Sequence, residues 1–315
     1  MADELYYVQQ LDKTFEALLD QPNFAPLLRM FKNDPELLFE VRKGNAIVYY
    51  MGGKICELTL GGRAPNKKIR CYIDPHYSRR GKRKNSEEAF VVDSVAEAML
   101  EDLNSQAHRF DYAYWAEKMP EVKTCIAEHL VDHQNKERQK QQVLSKENND
   151  FDCPIVILDT EYGVREKVSK SSKMAKVDMV GLRRSGEGKW DIALIELKVG
   201  YSSVKGNAGI ADHIRDFEII LRCRRPDITE SALNIFELKK RYGWLKNCPN
   251  TLELSGVFVA YILAYDLKTP GEKTQFRKRF HDAKTASGFD LFSILMNEEE
   301  HGNDLSFLAD ENNLF

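Results

Sequence analysis

Lys176-Val177-Asp178-Met179-Val180-Gly181-Leu182 and Trp190-Asp191-Ile192-Ala193-Leu194-Ile195-Glu196-Leu197-Lys198-Val199 are two apolar runs interrupted by charge near one end. Both read as strands. In a strand, side chains i and i+2 share a face. Glu196 and Lys198 therefore point one way, while Ile195, Leu197 and Val199 point the other way, into a core. A carboxylate and an amine on an otherwise apolar strand are costly to bury without partners. Asp178 joins them if the two runs form a hairpin.

The residues between the runs, Arg183-Arg184-Ser185-Gly186-Glu187-Gly188-Lys189, contain turn chemistry, since glycine supplies positive φ. A three-residue loop, Gly186 to Gly188, sets Ser185 against Lys189. Counting back then puts Asp178 directly opposite Glu196, with Cβ atoms about 4.5–5.5 Å apart. An even loop puts Asp178 opposite Ile195 and turns the two acids to opposite faces. The metal reading therefore requires an odd loop or a bulge. Two carboxylates can hold a hard divalent cation such as Mg²⁺, and a lysine beside them can orient an attacking water and neutralise phosphate charge. The competing reading is a pair of ordinary surface carboxylates on a half-exposed hairpin.

Bulk properties narrow the classes. The chain has 315 residues, 43% hydrophobic and 30% charged, which suits one large core or two smaller ones. No apolar run reaches the ~18 residues of a membrane span. The acidic start, Met1-Ala2-Asp3-Glu4, is no signal peptide. Six scattered cysteines without a CxxC pair read as reduced thiols of a cytoplasmic protein and disfavour a zinc site. The net charge of −3 does not advertise nucleic acid, but local clusters do: His76 to Lys84, Arg222 with Arg224 and Arg225, Lys239 to Arg241, and Arg277 to Arg279. Each is also compatible with a solvated face.

Along the chain, residues 4–33 read as two short amphipathic helices, Leu5 to Leu19 and Phe24 to Phe31. Residues 37–74 read as an antiparallel meander with hairpin turns at Gly44-Asn45 and Gly52-Gly53. Helical spacing resumes over 86–106, and a further helix runs from about Pro120 to Ser145, its polar second half exposed or frayed. From Pro154 the pattern becomes strand, strand, strand, helix. The first strand is Ile155 to Tyr162; the helix is Gly209 to Arg222, with Ile210, Ile214, Phe217 and Leu221 on one stripe and Asp212, Arg215 and Asp216 elsewhere. A helix over about 229–244, a buried strand over 256–265, a helix near 273–286 and an apolar run, Phe289 to Met296, follow. The acidic tail is expected to pack lightly. The expected class is α/β (α+β overall), with an accessory module over 1–110 and a catalytic domain over 111–315.

Three strands, a crossing helix and a further strand, with Asp on the second strand and Glu-x-Lys on the third, resemble the PD-(D/E)xK nuclease superfamily and its restriction-endonuclease-like αβββαβ core. The resemblance covers roughly residues 120–265. It implies that Asp178, Glu196 and the carbonyl of Leu197 ligate Mg²⁺ or Mn²⁺, and that Lys198 sits by the attacking water. Family members often add an acid from the first strand or preceding helix, which makes Glu161 the expected fourth catalytic and metal-binding residue and Glu128 its rival. Lys205, His213 and Arg215, beside the expected site, and Arg79, Arg80 and Arg83, in the basic loop, are the expected nucleic-acid contacts. The glutamine-bearing form of this helix does not map, since no Gln lies between 200 and 230. The N-terminal residues look like modules that prokaryotic defence and mobile-element nucleases add to this core, by analogy.

The expected function is metal-dependent hydrolysis of phosphodiester bonds, with DNA ahead of RNA as partner and a homodimer as the assembly suited to cutting both strands. The alternatives are a nucleic-acid-binding or sensor protein that kept the fold without turnover, and an RNase. A Gly-x-Ser-x-Gly elbow and a Walker-type loop are both missing from the sequence.

Overall fold

The computed structural model describes residues 8–42, 44–80, 91–132, 136–168, 171–200, 209–286, 291–295 and 302–309. The chain divides into two compact units, one spanning Gln10–Gln142 and the other Met1–Gln9 with Val143–Phe315. The division falls after Gln142 rather than after residue 110. The reason is α4 (Tyr112–Asp132), which packs on α2 (Ala25–Asn33) and on the meander strand β3 (Gly53–Gly61).

The N-terminal unit opens with α1 (Lys13–Leu19), whose Asp12 side chain caps the Thr14 N–H, and then α2. An antiparallel sheet follows in the order β1-β2-β3-β4: β1 (Leu37–Arg42), β2 (Asn45–Tyr50), β3 (Gly53–Gly61) and β4 (Lys68–Tyr72). Arg42 pairs with Asn45 and Tyr50 with Gly53. The second two-residue turn is therefore 51–52, one position earlier than the sequence suggested. Met51 and Gly52 have φ of 50° and 76°, the doubly positive turn that matches strand twist. A short ribbon of β5 (Arg79–Arg80) and β6 (Val91–Val92), then α3 (Ser94–Asn104) and α4, complete this part.

The helix expected over 120–145 is two helices, α4 and α5 (Lys136–Glu147). The polar half is not frayed. Gln142 is buried, its amide nitrogen donates to the Glu36 carbonyl at 2.6 Å and its oxygen accepts the Gly52 N–H at 2.7 Å. Polar residues can be interior when every donor and acceptor is matched.

The C-terminal unit holds a five-stranded sheet in the order β11-β10-β9-β8-β7. Its strands are β7 (Ile155–Val168), β8 (Ser171–Arg184), β9 (Trp190–Val199), β10 (Leu254–Tyr265) and β11 (Leu291–Leu295). β7, β8 and β9 are antiparallel neighbours; β9, β10 and β11 run parallel. Two helices, α6 (Ile210–Cys223) and α7 (Arg225–Arg241), cross from β9 to β10, and α8 (Pro270–Ala286) crosses from β10 to β11. Parallel neighbours require such crossovers. Both sheet faces are buried. Leu182, Leu194 and Ile262 pack with Phe217, Phe236 and Phe276 of the three helices. Ile195, Leu197, Tyr261 and Leu263 pack on the other face with Leu144, Leu305 and Leu308. Within the described part of the tail, Leu305 and Leu308 are fully buried, and Tyr261 donates its hydroxyl to the Leu308 carbonyl at 3.2 Å. Among the described residues, no helix is long and apolar enough to cross a membrane.

Candidate active site

The β8–β9 turn is the odd one. Gly186–Gly188 forms a single 3-10 turn, and the Ser185 N–H donates to the Lys189 carbonyl at 2.9 Å. Pairing then runs from Arg184↔Trp190 to Met179↔Ile195. The next pair in this register is Asp178 opposite Glu196. There the ladder stops. β8 stays with β7 through Tyr162↔Val177 to Val168↔Ser171, while β9 stays with β10 through Ala264↔Lys198 to Tyr265↔Val199. The sheet splits at the two acids.

A split leaves edge N–H groups without ladder partners, and such groups must be satisfied elsewhere. The Leu197 N–H donates to Asp178 Oδ2 at 2.8 Å. The Lys176 N–H donates to Asp216 Oδ2 at 3.3 Å. One carboxylate thus closes each side of the split. In an extended strand a residue's carbonyl leaves by the same edge as its N–H, so the Leu197 carbonyl also faces the departing β8. Asp216, expected off the buried stripe of its helix, is buried. Its interior position follows from the backbone donor it accepts, which no hydrophobic pattern reports.

Glu196 and Lys198 are 1% and 3% exposed, and Lys198 Nζ lies 2.5 Å from Glu196 Oε1. An ordinary surface carboxylate is therefore excluded for Glu196. His213, on α6, brings Nδ1 to 2.8 Å from the same oxygen. This approach is close but not aligned as a hydrogen bond. Asp178, half-buried, offers a carboxylate oxygen within 4.8 Å of one from Glu196. That is close enough for both to serve one hard cation, whose oxygen ligands sit about 2.0–2.6 Å away.

The other expected site residues are placed less centrally. Glu161 lies on β7 between Thr160↔Met179 and Tyr162↔Val177, hence beside Asp178 in register, and has φ of 53°. Its carboxylate is not grouped with those of Asp178 and Glu196. The bulge between Ile157 and Asp159 and the left-handed backbone at Glu161 break the regular alternation on which its face was inferred. Glu128 on α4 belongs to the N-terminal unit. Glu128 lines a cleft of about 410 Å³ there with Met30, Asp34, Tyr50 and Lys123. Arg215 is exposed on α6. Arg79 and Arg80 form β5 of the N-terminal unit. Lys205 and Arg83 lie outside the described residues.

Charge at the far end of β9 has a structural use. Arg183 Nη2 meets Asp191 Oδ2 at 2.8 Å, and the Ser255 hydroxyl donates to Asp191 Oδ1 at 2.5 Å. Burial works against the Arg183 cation, but its hydrogen bond to Asp191 holds its pKa above the ordinary value. This network ties β8, β9 and β10 together at the base of the hairpin, which fixes the register delivered to Asp178.

No protein-family model, no curated protein and no solved structure matches the chain.

Proposed function

We propose that the chain is a metal-dependent nuclease of the PD-(D/E)xK kind, hydrolysing phosphodiester bonds in DNA, and that the C-terminal unit is its restriction-endonuclease-like core. The observation that carries this reading is the sheet split. It sets Asp178 against Glu196 and buries Lys198 beside them, although a buried ion pair seldom contributes net stability over apolar side chains.

The donor set fits Mg²⁺ or Mn²⁺: two carboxylates and the Leu197 carbonyl are hard oxygen ligands. A bound ion of this class would supply Lewis acidity toward a phosphoryl oxygen. The chain's own groups supply the rest. The Leu197 N–H fixes one Asp178 oxygen and so orients the carboxylate. Lys198 brings a positive charge to the place where a phosphorane becomes more negative, and a preorganised charge in a dry site stabilises that change more than water does. His213 and Lys198 hold Glu196 Oε1 in place from two sides. The order α5-β7-β8-β9-α6-α7-β10 contains the αβββαβ sequence of that core, with a second crossing helix added.

A nucleic-acid-binding protein without turnover is the second reading. It draws on the fact that Lys198 and His213 both approach Glu196 Oε1 closely. Plasmid, single-stranded DNA and RNA incubated with Mg²⁺, Mn²⁺ or EDTA separate the readings. The nuclease reading expects metal-dependent cleavage of DNA. Binding without cleavage under every metal supports the second reading, and cleavage of RNA alone redirects the substrate.

A further inference from the structure

We infer that α8 is the surface that holds the nucleic-acid backbone against the split sheet, through a stripe made by Lys273, Arg277 and Lys284. The inference rests on the nuclease reading and goes beyond it by placing the substrate contact in the same unit as the site.

The helix is anchored by Phe276 and Phe280, which are buried in the core. At about 100° per residue, Lys273, Arg277 and Lys284 fall within roughly 40° of one another, directly beside that buried face. All three are exposed. Along the axis they span about 16 Å at 1.5 Å per residue, a length over which one strand of a duplex presents several phosphates.

The acids of α8 are kept away from this stripe. Glu272 is used by the backbone: its Oε2 accepts the Lys268 and Thr269 N–H groups at 2.8 and 3.0 Å, and its own N–H donates to the Thr269 hydroxyl at 3.2 Å. This reciprocal cap occupies the carboxylate at the helix start. Asp282, the other acid, lies about 180° around the helix from Lys273. A face intended only for solubility has no need to segregate signs; a face that meets a polyanion does.

The position of α8 also suits the task. β10 pairs Ile262 with Glu196 and Ala264 with Lys198, and ends at Tyr265. α8 begins at Pro270, so the stripe starts shortly after the strand ends at which Glu196 and Lys198 lie. Ligands of open sheets with parallel strands gather outside the carboxyl ends of those strands. The partner chemistry is a nucleic-acid phosphodiester backbone, read without regard to sequence.

The test is binding of a fluorescent DNA duplex in EDTA, followed by anisotropy between about 50 and 200 mM salt. Working without metal keeps the result independent of cleavage. The Lys273→Gln/Arg277→Gln/Lys284→Gln variant should bind more weakly to every duplex, with the slope of log K against log salt shallower by about 2–3, since each phosphate contact contributes about 0.9. Lys278→Gln/Arg279→Gln removes two charges from other faces of the same helix and should shift the slope by less than about 1. An unchanged slope in the triple variant overturns the inference. So does an equal change in the control pair, or failure of the wild-type chain to bind duplex at the lowest salt. A shallower slope in a chain that cleaves nothing would refute the nuclease reading and leave the stripe standing.

Discussion

Replacing Glu196 and Lys198 separately and together asks whether this buried pair is kept for stability or for chemistry. Lys198→Met removes the cation 2.5 Å from a carboxylate that is 1% exposed. Breaking a buried pair from one side costs about 3–5 kcal/mol, because the remaining charge is stranded. His213, 2.8 Å away, still faces Glu196, so the lower end, about 3 kcal/mol, is expected. Glu196→Gln strands Lys198, which is 3% exposed, and should cost a similar ~3 kcal/mol. The double variant Glu196→Leu/Lys198→Met removes both charges onto an apolar face with Leu194 and Ile192. It should lie within about 1 kcal/mol of wild type or be more stable by about 1–4 kcal/mol. Hydrogen exchange of the β9 amides reads this locally, without assuming that the two units unfold together. Each single variant should exchange roughly 100-fold faster, at about 1.4 kcal/mol per factor of ten, while the double variant returns to the wild-type rate or slower. It should also lose all cleavage. Additive destabilisation in the double variant, or wild-type exchange in Lys198→Met, would refute the reasoning.

Three further outcomes follow from other parts of the structure. Gly181→Ala places a Cβ 2.9 Å from the Val156 carbonyl oxygen, forcing β7 and β8 apart, and should cost about 1–3 kcal/mol in urea unfolding; an unchanged midpoint would mean the strands give way freely. Glu161→Gly removes a side chain from backbone at φ 53° and should raise stability by about 1 kcal/mol; if Glu161 also serves the site, cleavage falls in the same variant, so calorimetry and plasmid nicking together assign it. Burial pushes the Tyr77 and Tyr112 hydroxyls up to about 12. An unfolded phenol ionises near pH 10, so each tyrosine's contribution is fully present below pH 10 and is lost as pH rises toward 12. Unfolding of the N-terminal unit should become easier by up to about 1.4 kcal/mol per tyrosine between pH 9 and 11, and less so in Tyr77→Phe; a flat profile contradicts this.

The Asp178–Glu196 opposition was legible because a hairpin transmits register residue by residue from its turn. Gly186 to Gly188 fixed the parity, and every later pair inherits it. The two-face alternation of β9 was legible for the same reason. The end of that ladder was not. Where β8 leaves β9 depends on twist and on the α6 helix packed against β8, neither of which is written in a two-residue period. Asp216 shows the limit clearly: its burial answers a stranded Lys176 N–H, a demand created only by the split. Gln142 and the Leu305–Leu308 tail were misjudged on the same ground. Polarity and acidic neighbours suggested solvent, while hydrogen bonds to Gly52, Glu36 and Asn148 brought them inside. On β7 the bulge and the left-handed Glu161 shift the alternation that a sequence reader counts by twos.

The central claim is most directly tested by nicking of supercoiled plasmid in Mn²⁺ by the wild-type chain and by Asp178→Asn, which keeps the side chain's size and an oxygen acceptor for the Leu197 N–H but removes its charge. The account predicts cleavage that appears with Mn²⁺ or Mg²⁺, disappears with EDTA and is lost by at least about 100-fold in Asp178→Asn, as expected for a group stabilising transition-state charge. Equal cleavage by the two proteins, or none by the wild type in either metal, would contradict it.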